Sequence, residues 1–334
     1  MFTYAQHAEA MRFADDVAQR KGLDAPTVRA AVAQARKLPQ VQKLMLPAPV
    51  ETAKNWAAYR ARFIEPVRLK AGQAFWQANR RWLDKAQADT GVPASLIVGV
   101  IGVETLYGRH MGNFRVIDAL ATLAFDFPTA HPRAAARSQY FLGELEQLLG
   151  MSLAAGQDPS RLRGSYAGAM GLPQFMPGSW AQYAVDFDGD GQIDLFNNPA
   201  DAIGSVANYF RAFGWKPGMP THYAVTLDPT RLGMDSLMAP DILPSFSAAS
   251  MEAKGAVLSE AGRAHVGPLA LIELHNGRTE QDGKPASYVA GTDNFYTVTR
   301  YNWSSYYALA VIELGLAIEA QLRGEAAPAS LAAP

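Results

Sequence analysis

The segment that decides the fold begins at Gly91 and reads Gly-Val-Pro-Ala-Ser-Leu-Ile-Val-Gly-Val-Ile-Gly-Val-Glu-Thr-Leu-Tyr-Gly, ending at Gly108. Pro93 stands where proline is favoured, at the start of a helix, and Gly108 is a suitable stop. The stretch from Ala94 to Val103 is uncharged and almost wholly apolar. It is about half as long as a bilayer crossing requires. A helix that is apolar all round is buried, so we predict a helix in the core of the protein.

Glu104 is the one charged residue of this segment. Its neighbours at helical spacing are Ile101, Val100 and Ile97, which places the carboxyl among apolar side chains. Loss of hydration and the negative end of the helix dipole both favour the protonated form, and a raised pKa suits a general acid. The alternative is a helix end at the surface, with the carboxylate in water. The glycines and mixed polarity up to Gly112 favour a cleft wall instead.

A second segment, Gly164 to Pro177, concentrates glycines, two aromatic residues, two methionines including Met170, and the amide of Gln174. Glycine lets the backbone approach a ligand closely, and aromatic faces stack on the C–H faces of sugar rings. Methionine and aromatic residues at helical spacing are usually core, but this segment lacks that spacing. We interpret it as a binding loop, with a structural turn as the alternative.

A third segment has the residue pattern of an EF-hand calcium loop. Loop positions 1, 3, 5, 7 and 9 are Asp186, Asp188, Asp190, Gln192 (through its backbone carbonyl) and Asp194. Neighbouring carboxylates repel one another by roughly 1 to 4 kcal/mol per pair, and a bound cation removes that cost. Position 12 is Asn197 instead of glutamate, so we expect Asp201 in the next helix to substitute. We predict a structural Ca²⁺ site that the chemistry does not need, with a solvated turn as the alternative.

Composition excludes several classes of protein. The 334 residues are 49% hydrophobic and carry a net charge of −1, so a large core forms and no global field attracts nucleic acid. The absence of cysteine excludes disulfides, thiolate metal sites and a lipid-anchor residue. The histidines lack the spacing of zinc ligands, and no phosphate-loop or serine-hydrolase motif occurs. The N-terminal sequence lacks the pattern of a signal peptide.

Helical periodicity and its breaks predict a mainly α protein in consecutive segments. They are a helical N-terminal domain (1–85), a core with the acidic loop (86–215), an inserted, partly β segment (216–290), a returning part (291–322) and a disordered tail (323–334). Within the returning part we predict a strand at Phe295–Arg300, followed by a helix over Tyr306–Leu322.

Four blocks of sequence carry a family resemblance. They are Gly102–Thr105, Gly164–Pro177, the acidic loop with the helix after it, and residues 295–311. In this order they resemble the B-type membrane-bound lytic murein transglycosylases, from about Trp56 to Leu314. The resemblance implies a lysozyme-like catalytic core that acts on peptidoglycan strands in the bacterial periplasm. Partners among the enzymes of cell-wall synthesis or remodelling stay open, and we expect a monomer.

The resemblance also implies a mechanism. Glu104 matches the single catalytic acid, which protonates the oxygen of the β-1,4 bond between N-acetylmuramic acid and N-acetylglucosamine and then acts as base. The muramyl sugar is attacked by its own hydroxymethyl oxygen, helped by its acetamide, and a 1,6-anhydro ring forms without water. The substrate-binding residues would be Tyr59, Ser165, Met170, Gln174, Phe175, Tyr209, Tyr301, Asn302 and Tyr307. Ser165 and Gln174 suit hydrogen bonds to the acetamide or to the transition state, whereas any single tyrosine can equally be a packing residue.

Two other functions stay open from the sequence. A lysozyme-type hydrolase would use the same acid with water as the nucleophile. A non-catalytic scaffold would use the same residues to bind the cell wall without cleaving it.

Overall fold

The structure, a computed structural model, describes residues 2–47, 53–278 and 284–332, and it confirms a mainly helical protein with small sheets. The helices are α1 (Ala8–Lys21), α2 (Ala25–Ala33), α3 (Pro39–Met45), α4 (Trp56–Ala61), α5 (Pro66–Ala78), α6 (Arg80–Thr90), α7 (Ala94–Thr105), α8 (Val116–Phe125), α9 (Ala134–Ala154), α10 (Pro177–Tyr183), α11 (Pro199–Ala212), α12 (Met234–Met238), α13 (Ala248–Ala253), α14 (Glu260–Arg263), α15 (Asp293–Thr299) and α16 (Ser305–Leu322). The strands are β1 (Phe114–Arg115), β2 (Arg163–Gly164), β3 (His222–Leu227), β4 (Ala256–Leu258), β5 (Ala270–Leu274) and β6 (Ser287–Gly291).

The chain folds as two compact units. The first unit comprises residues 1–51 and 108–202, and the second comprises residues 52–107 and 203–334. The segments predicted from the sequence are consecutive, whereas each of these units is made of two separate parts of the chain. The predicted boundaries stay a prediction.

The first unit has a helical core of mostly aliphatic side chains. Helices α1, α2, α8 and α9 supply it, with Val17, Val28 and Leu120 fully buried. Within this core Tyr4 donates a hydrogen bond of 2.6 Å to Asp126, which satisfies a buried hydroxyl. The short antiparallel pair β1–β2 leads from this core into the loop that begins at Gly164.

Helix α7 is the centre of the second unit, as the sequence predicts, and it packs against α16. Two glycines allow the close approach of these helices. A Cβ at Gly99 would overlap the carbonyl oxygen of Val311, and a Cβ at Gly315 would overlap that of Ser95. The backbones therefore touch where the helices cross, which fixes the position of α7 along α16.

The second unit also holds the partly β segment predicted for residues 216–290. Its antiparallel sheet has the strand order β4-β3-β6-β5, with its own small core around Leu237 and Met251. Strand β6 aligns Val289 with Ile272 of β5 and Ala224 of β3.

The predicted strand at Phe295–Arg300 is wrong, because these residues form most of helix α15. The β-branched run Thr297–Thr299 favours a strand by propensity alone. Capping and burial decide otherwise. The side chain of Thr292 accepts hydrogen bonds from the backbone N–H groups of Asn294 and Phe295, and both Phe295 and Val298 are fully buried at helical spacing.

The predicted disordered tail falls only partly within the described residues, with residues 333–334 outside them. In the described part, Ser330 donates a hydrogen bond to Glu313 of α16, and Ala332 is buried. In the described ranges, no single helix is long and apolar enough to cross a membrane. The pair α6 and α7 meets that test only together, with a bend of 119° between the two helices.

Candidate active site

Glu104 lies in the last turn of α7, and the backbone that follows it is tightly constrained. Leu106 and Tyr107 are both left-handed, with φ of 50° and 57°. Side chains other than glycine adopt this conformation at a cost of roughly 1 to 2 kcal/mol per residue. The two residues end the helix directly after Thr105, and this sharp stop fixes where the backbone of Glu104 lies.

Tyr107 holds this helix end in place, a role that the sequence analysis misses. Its ring stacks on Phe75 with 5.1 Å between centroids. Its hydroxyl is buried, has no hydrogen-bond partner among the described residues, and lies where a Cβ at Gly72 or Gly102 would be. The two glycines thus form a slot for the Tyr107 hydroxyl, and glycine at these helical positions is the sequence signal for it.

Arg68 stabilises the same helix end. Its Nε donates to the carbonyl of Gly102 at 3.0 Å, and its Nη1 donates to the carbonyl of Arg62 at 2.7 Å. A cation that caps a carbonyl in the last turn of a helix interacts favourably with the helix dipole.

The Glu104 carboxyl is half-buried and has one side-chain hydrogen-bond partner. Tyr307 donates from its hydroxyl to Oε1 at 2.5 Å. Burial raises the pKa of Glu104 to about 7, and the hydrogen bond from Tyr307 partly opposes this rise. No basic side chain pairs with Glu104 in the described part of the chain. At neutral pH the carboxyl is therefore present in both protonation states, as a general acid that later acts as base requires.

A cluster of tyrosines surrounds this carboxyl. Tyr301 stacks on Tyr307 with an interplanar angle of 12° and also contacts Tyr209 at 4.9 Å between centroids. Burial, followed by the nearby Glu104 carboxylate, raises the pKa of Tyr301 and Tyr307 well above the ordinary value. Tyr59 is affected by Glu104 in the same direction, although burial is again the main cause. These hydroxyls therefore stay protonated and can donate hydrogen bonds.

Helix ends place these tyrosines. Tyr307 lies in the first turn of α16, where the side chain of Ser304 accepts a hydrogen bond from the Tyr307 N–H at 3.2 Å. Tyr209 is buried on α11, and its hydroxyl donates to the carbonyl of Arg300 at 3.1 Å. Asn302, in the turn between α15 and α16, is exposed.

The glycine-rich loop of the first unit is held by its own hydrogen bonds. The hydroxyl of Ser165 accepts from the N–H groups of Ala167 and Ala169 at 3.2 and 3.0 Å. Gln174 is left-handed, with φ of 53°, and its amide donates to the carbonyls of Met111 and Gly171 at 3.2 and 2.9 Å. Because Nε2 makes both contacts, the Oε1 acceptor of Gln174 faces away from them.

Two of the predicted binding residues lie in the interior of this loop. Met170 and Phe175 pair through their backbones, each donating to the other's carbonyl, and both side chains are buried. Ser165 and Gln174 are half-buried and keep accessible surface. The loop thus presents its polar members and uses its methionine and phenylalanine for packing.

The acidic loop brings three carboxylates together. Oxygens of Asp186, Asp188 and Asp190 lie within 4.8 Å of one another. Asp186 accepts hydrogen bonds from the N–H groups of Gly189 and Gly191, both at 2.8 Å. The hydrogen bond from Asn198 is the main reason that the pKa of Asp188 is lowered.

Asp201 closes this loop from the inside. It is fully buried, and its two oxygens accept hydrogen bonds from the N–H groups of Phe187 at 2.8 Å and Asp194 at 2.9 Å. Asn197, at position 12, donates from its backbone and side chain to Asp194. Burial raises the pKa of Asp201.

The predicted site residues therefore fall into two sets. The second unit holds the acid, the tyrosines around it and the exposed Asn302, which follows Tyr301 in the sequence. These residues are Glu104, Tyr59, Tyr209, Tyr301, Asn302 and Tyr307. The first unit holds the loop residues and the acidic cluster: Ser165, Met170, Gln174, Phe175, Asp186, Asp188, Asp190, Gln192 and Asp201.

Comparison with known proteins identifies the family of this chain. The family described as "Transglycosylase SLT domain" matches residues 5–316. The chain belongs to this transglycosylase SLT family. It is 40% identical to the membrane-bound lytic murein transglycosylase B of Escherichia coli K12 over an alignment of 323 residues, which covers 94% of this chain and 84% of that protein. This transglycosylase is thus a peptidoglycan lytic transglycosylase, as the resemblance implies.

Solved structures of relatives share the fold of the transglycosylase. The Escherichia coli lytic transglycosylase Slt35 in complex with bulgecin A superposes with a TM-score of 0.81 at 38% identity, covering 96% of each chain. The same Slt35 in complex with calcium gives a TM-score of 0.80 at 38% identity, again over 96% of each chain. The Pseudomonas aeruginosa SltB3 in complex with NAG-anhNAM-pentapeptide gives 0.72 at 30% identity, covering 93% of this chain and 79% of that one.

Proposed function

We propose that Glu104 cleaves the β-1,4 bond between N-acetylmuramic acid and N-acetylglucosamine, first as general acid and then as base. The observation that carries this proposal is the carboxyl of Glu104 in the tyrosine cluster, where burial raises its pKa to about 7. Such a group holds its proton near neutral pH and can still donate it to a glycosidic oxygen. A paired carboxylate, which ordinary glycosidases need, is not used.

The proton and the bonds balance around this one side chain. Glu104 gives its proton to the bridging oxygen as the C1–O bond of the muramyl sugar breaks, so N-acetylglucosamine leaves as an alcohol. The sugar's acetamide assists at C1, and the hydroxymethyl oxygen of the same sugar then forms the new bond to C1. The Glu104 carboxylate takes the proton from that hydroxyl. Because this nucleophile is intramolecular, it gains the advantage of proximity that a water molecule lacks.

Tyr307 stabilises the carboxylate form of Glu104 between these two proton transfers. Its hydroxyl already donates to Oε1, and this bond strengthens when the carboxyl becomes charged. Tyr59, Tyr209, Tyr301 and Asn302 bind the sugars beside it. Ser165 and Gln174 of the first unit are proposed to hydrogen-bond the acetamide or the transition state, since both keep accessible polar surface. SltB3, which was solved with a NAG-anhNAM-pentapeptide, supports a ligand of this class.

We further propose a structural Ca²⁺ bound by the acidic loop, with Asp186, Asp188, Asp190, Gln192 and Asp201 as ligands. Three of these residues already bring carboxylate oxygens within 4.8 Å of one another, and hard oxygen donors are what Ca²⁺ prefers. Asp201 uses both oxygens to close the loop, so it contributes by holding the loop shape as well as by its charge. The calcium complex of Slt35 supports this proposal.

We propose that the enzyme acts in the periplasm, where its substrate is found, as a monomer on peptidoglycan strands and without a nucleic-acid partner. The Escherichia coli relative is named a membrane-bound enzyme, which is compatible with this location. Partners among the proteins of cell-wall synthesis or remodelling remain part of the proposal.

Digestion of purified sacculi tests the reaction and the substrate together. We expect muropeptides that are lighter by one water than the hydrolysis products, because the anhydro ring replaces water addition. Products with ordinary reducing ends would instead establish a lysozyme-type hydrolase. Binding without release of any muropeptide would establish a wall-binding scaffold.

A further inference from the structure

Trp303 is an exposed aromatic residue directly after Tyr301 and Asn302. Its side chain is 68% exposed, more than any other aromatic residue in the described ranges. Exposing an indole forfeits the stabilisation that its burial would give. Tryptophan is enriched at interfaces, where its ring provides a large apolar contact area.

Arg300 covers one face of this indole. The centre of its guanidinium lies 3.7 Å from the ring centroid, and Nη1 donates to the hydroxyl of Tyr296 at 2.8 Å. One face is thus occupied, so the exposed area of Trp303 lies on the opposite face and the ring edges. Within the described part of the chain, Arg300 has no carboxylate partner, and its charge is available to a ligand.

The backbone beneath this pair is strained and fixed. Trp303 has φ of 46°, a left-handed conformation that a bulky side chain rarely adopts. Its N–H donates to the carbonyl of Thr299, and the carbonyl of Arg300 accepts from Tyr209 of the tyrosine cluster. The turn therefore fixes the backbone of Trp303, and strain of this kind is retained most often at functional sites.

We propose that Trp303 and Arg300 form an accessory subsite for the peptidoglycan strand. A pyranose ring stacks on the free face of the indole, and a carboxylate of the same strand pairs with the guanidinium. This inference rests on the proposed function and extends it, because it adds recognition of an anionic group beside the sugars. The carboxylate belongs either to the stem peptide or, where the stem has been removed, to the lactyl group of the muramyl sugar.

The test measures initial rates on sacculi over a range of concentrations. We expect Trp303→Ala to raise KM about three- to tenfold, with kcat changed less than twofold, since stacking contributes to binding only. Trp303→Gly suits the left-handed backbone and should show the same rise, whereas Trp303→Tyr should restore most of the affinity. Trp82→Ala, which removes a tryptophan stacked with Arg81 on α6, is the matched control and should leave KM unchanged.

Arg300→Gln is assayed on intact sacculi and on sacculi stripped of stem peptides by an amidase. A rise of about threefold in KM on intact sacculi alone identifies a stem carboxylate, and a rise on stripped sacculi identifies the lactyl carboxylate. An unchanged KM on both substrates would overturn the anionic contact. An unchanged KM for Trp303→Ala in an enzyme that releases anhydro products would overturn the subsite and leave the proposed function intact. Failure of the wild type to release anhydro products would instead refute the proposed function.

Discussion

Among the residues that the structure describes, the Glu104 carboxyl of the second unit has no other carboxylate in its cluster of tyrosines, whereas the acidic loop of the first unit brings several carboxylates together. Glu104 is half-buried among tyrosines, with a single hydrogen bond, and its pKa is raised to about 7. Asp188 and Asp190 are exposed and close together, and both accept backbone hydrogen bonds within the loop. The hydrogen bond from Asn198 lowers the pKa of Asp188. The surroundings of a carboxyl group therefore differ between the two regions. Burial favours the protonated form of a carboxyl, as a proton donor needs, whereas N–H donors favour the charged form, which suits the proposed Ca²⁺ site.

The largest effect we expect comes from Glu104→Gln. The amide resembles the protonated carboxyl in shape but cannot transfer a proton, so the rate on sacculi should fall by about 10² to 10⁴. Release of muropeptides over time is the measurement, with Glu9→Gln on the surface of α1 as the control. Turnover that survives the Glu104 change would remove this residue from the chemistry.

Calcium should raise the melting temperature of the protein by binding to the acidic loop. Binding at about one hundred times Kd stabilises the folded state by about 2.7 kcal/mol, which raises Tm by a few degrees. Asp186→Ala should abolish the rise. Asp15→Ala, which removes an exposed partner of Arg29 in the same unit, should keep it. Equal melting temperatures with Ca²⁺ and with a chelator would refute the calcium site.

Glu104 should also destabilise the protein in a pH-dependent way. Because its pKa in the folded state lies above the ordinary value of 4.5, the stability of the wild type falls as pH rises from about 4.5 through 7. At pH 8 we expect Glu104→Gln to unfold with a free energy higher by roughly 1 to 3 kcal/mol, and at pH 4 the difference should vanish. Denaturant or thermal unfolding at both pH values measures this. A difference that is the same at pH 4 and pH 8 would contradict a dry carboxyl.

The smallest effect concerns Tyr307. Tyr307→Phe keeps the stacked ring but removes the hydrogen bond that lowers the pKa of Glu104, so that pKa should rise. The alkaline fall of kcat/KM should therefore move to higher pH, and the rate at the optimum should drop about tenfold. Tyr306→Phe is the matched control, since its hydroxyl instead accepts from the N–H of His275. An alkaline limb that stays in place in Tyr307→Phe would exclude this hydrogen bond from the proton transfer.

Local patterns in the sequence predicted part of this picture. The apolar run before Glu104 predicted a buried helix, which α7 confirms, and Pro93 predicted where that helix begins. These signals are local, because they depend on side chains within one or two turns of helix.

Features that depend on distant contacts were not predictable in the same way. The run Thr297–Thr299 reads as a strand, but a buried helix capped by Thr292 forms instead. The slot for Tyr107 is built by Gly72 and Gly102 from two helices, and nothing in their spacing shows that they meet. Asp201 is predicted as a ligand from its position, whereas its two bonds across the loop appear only in the folded chain.

The central claim is that Glu104 keeps its proton until it donates it. Infrared difference spectra of the wild type minus Glu104→Gln, recorded from pH 4 to pH 9, follow the protonated carboxyl of this residue directly. We predict that the carboxyl band is lost with a midpoint of about 7. A midpoint near the ordinary value of 4.5 would contradict the account.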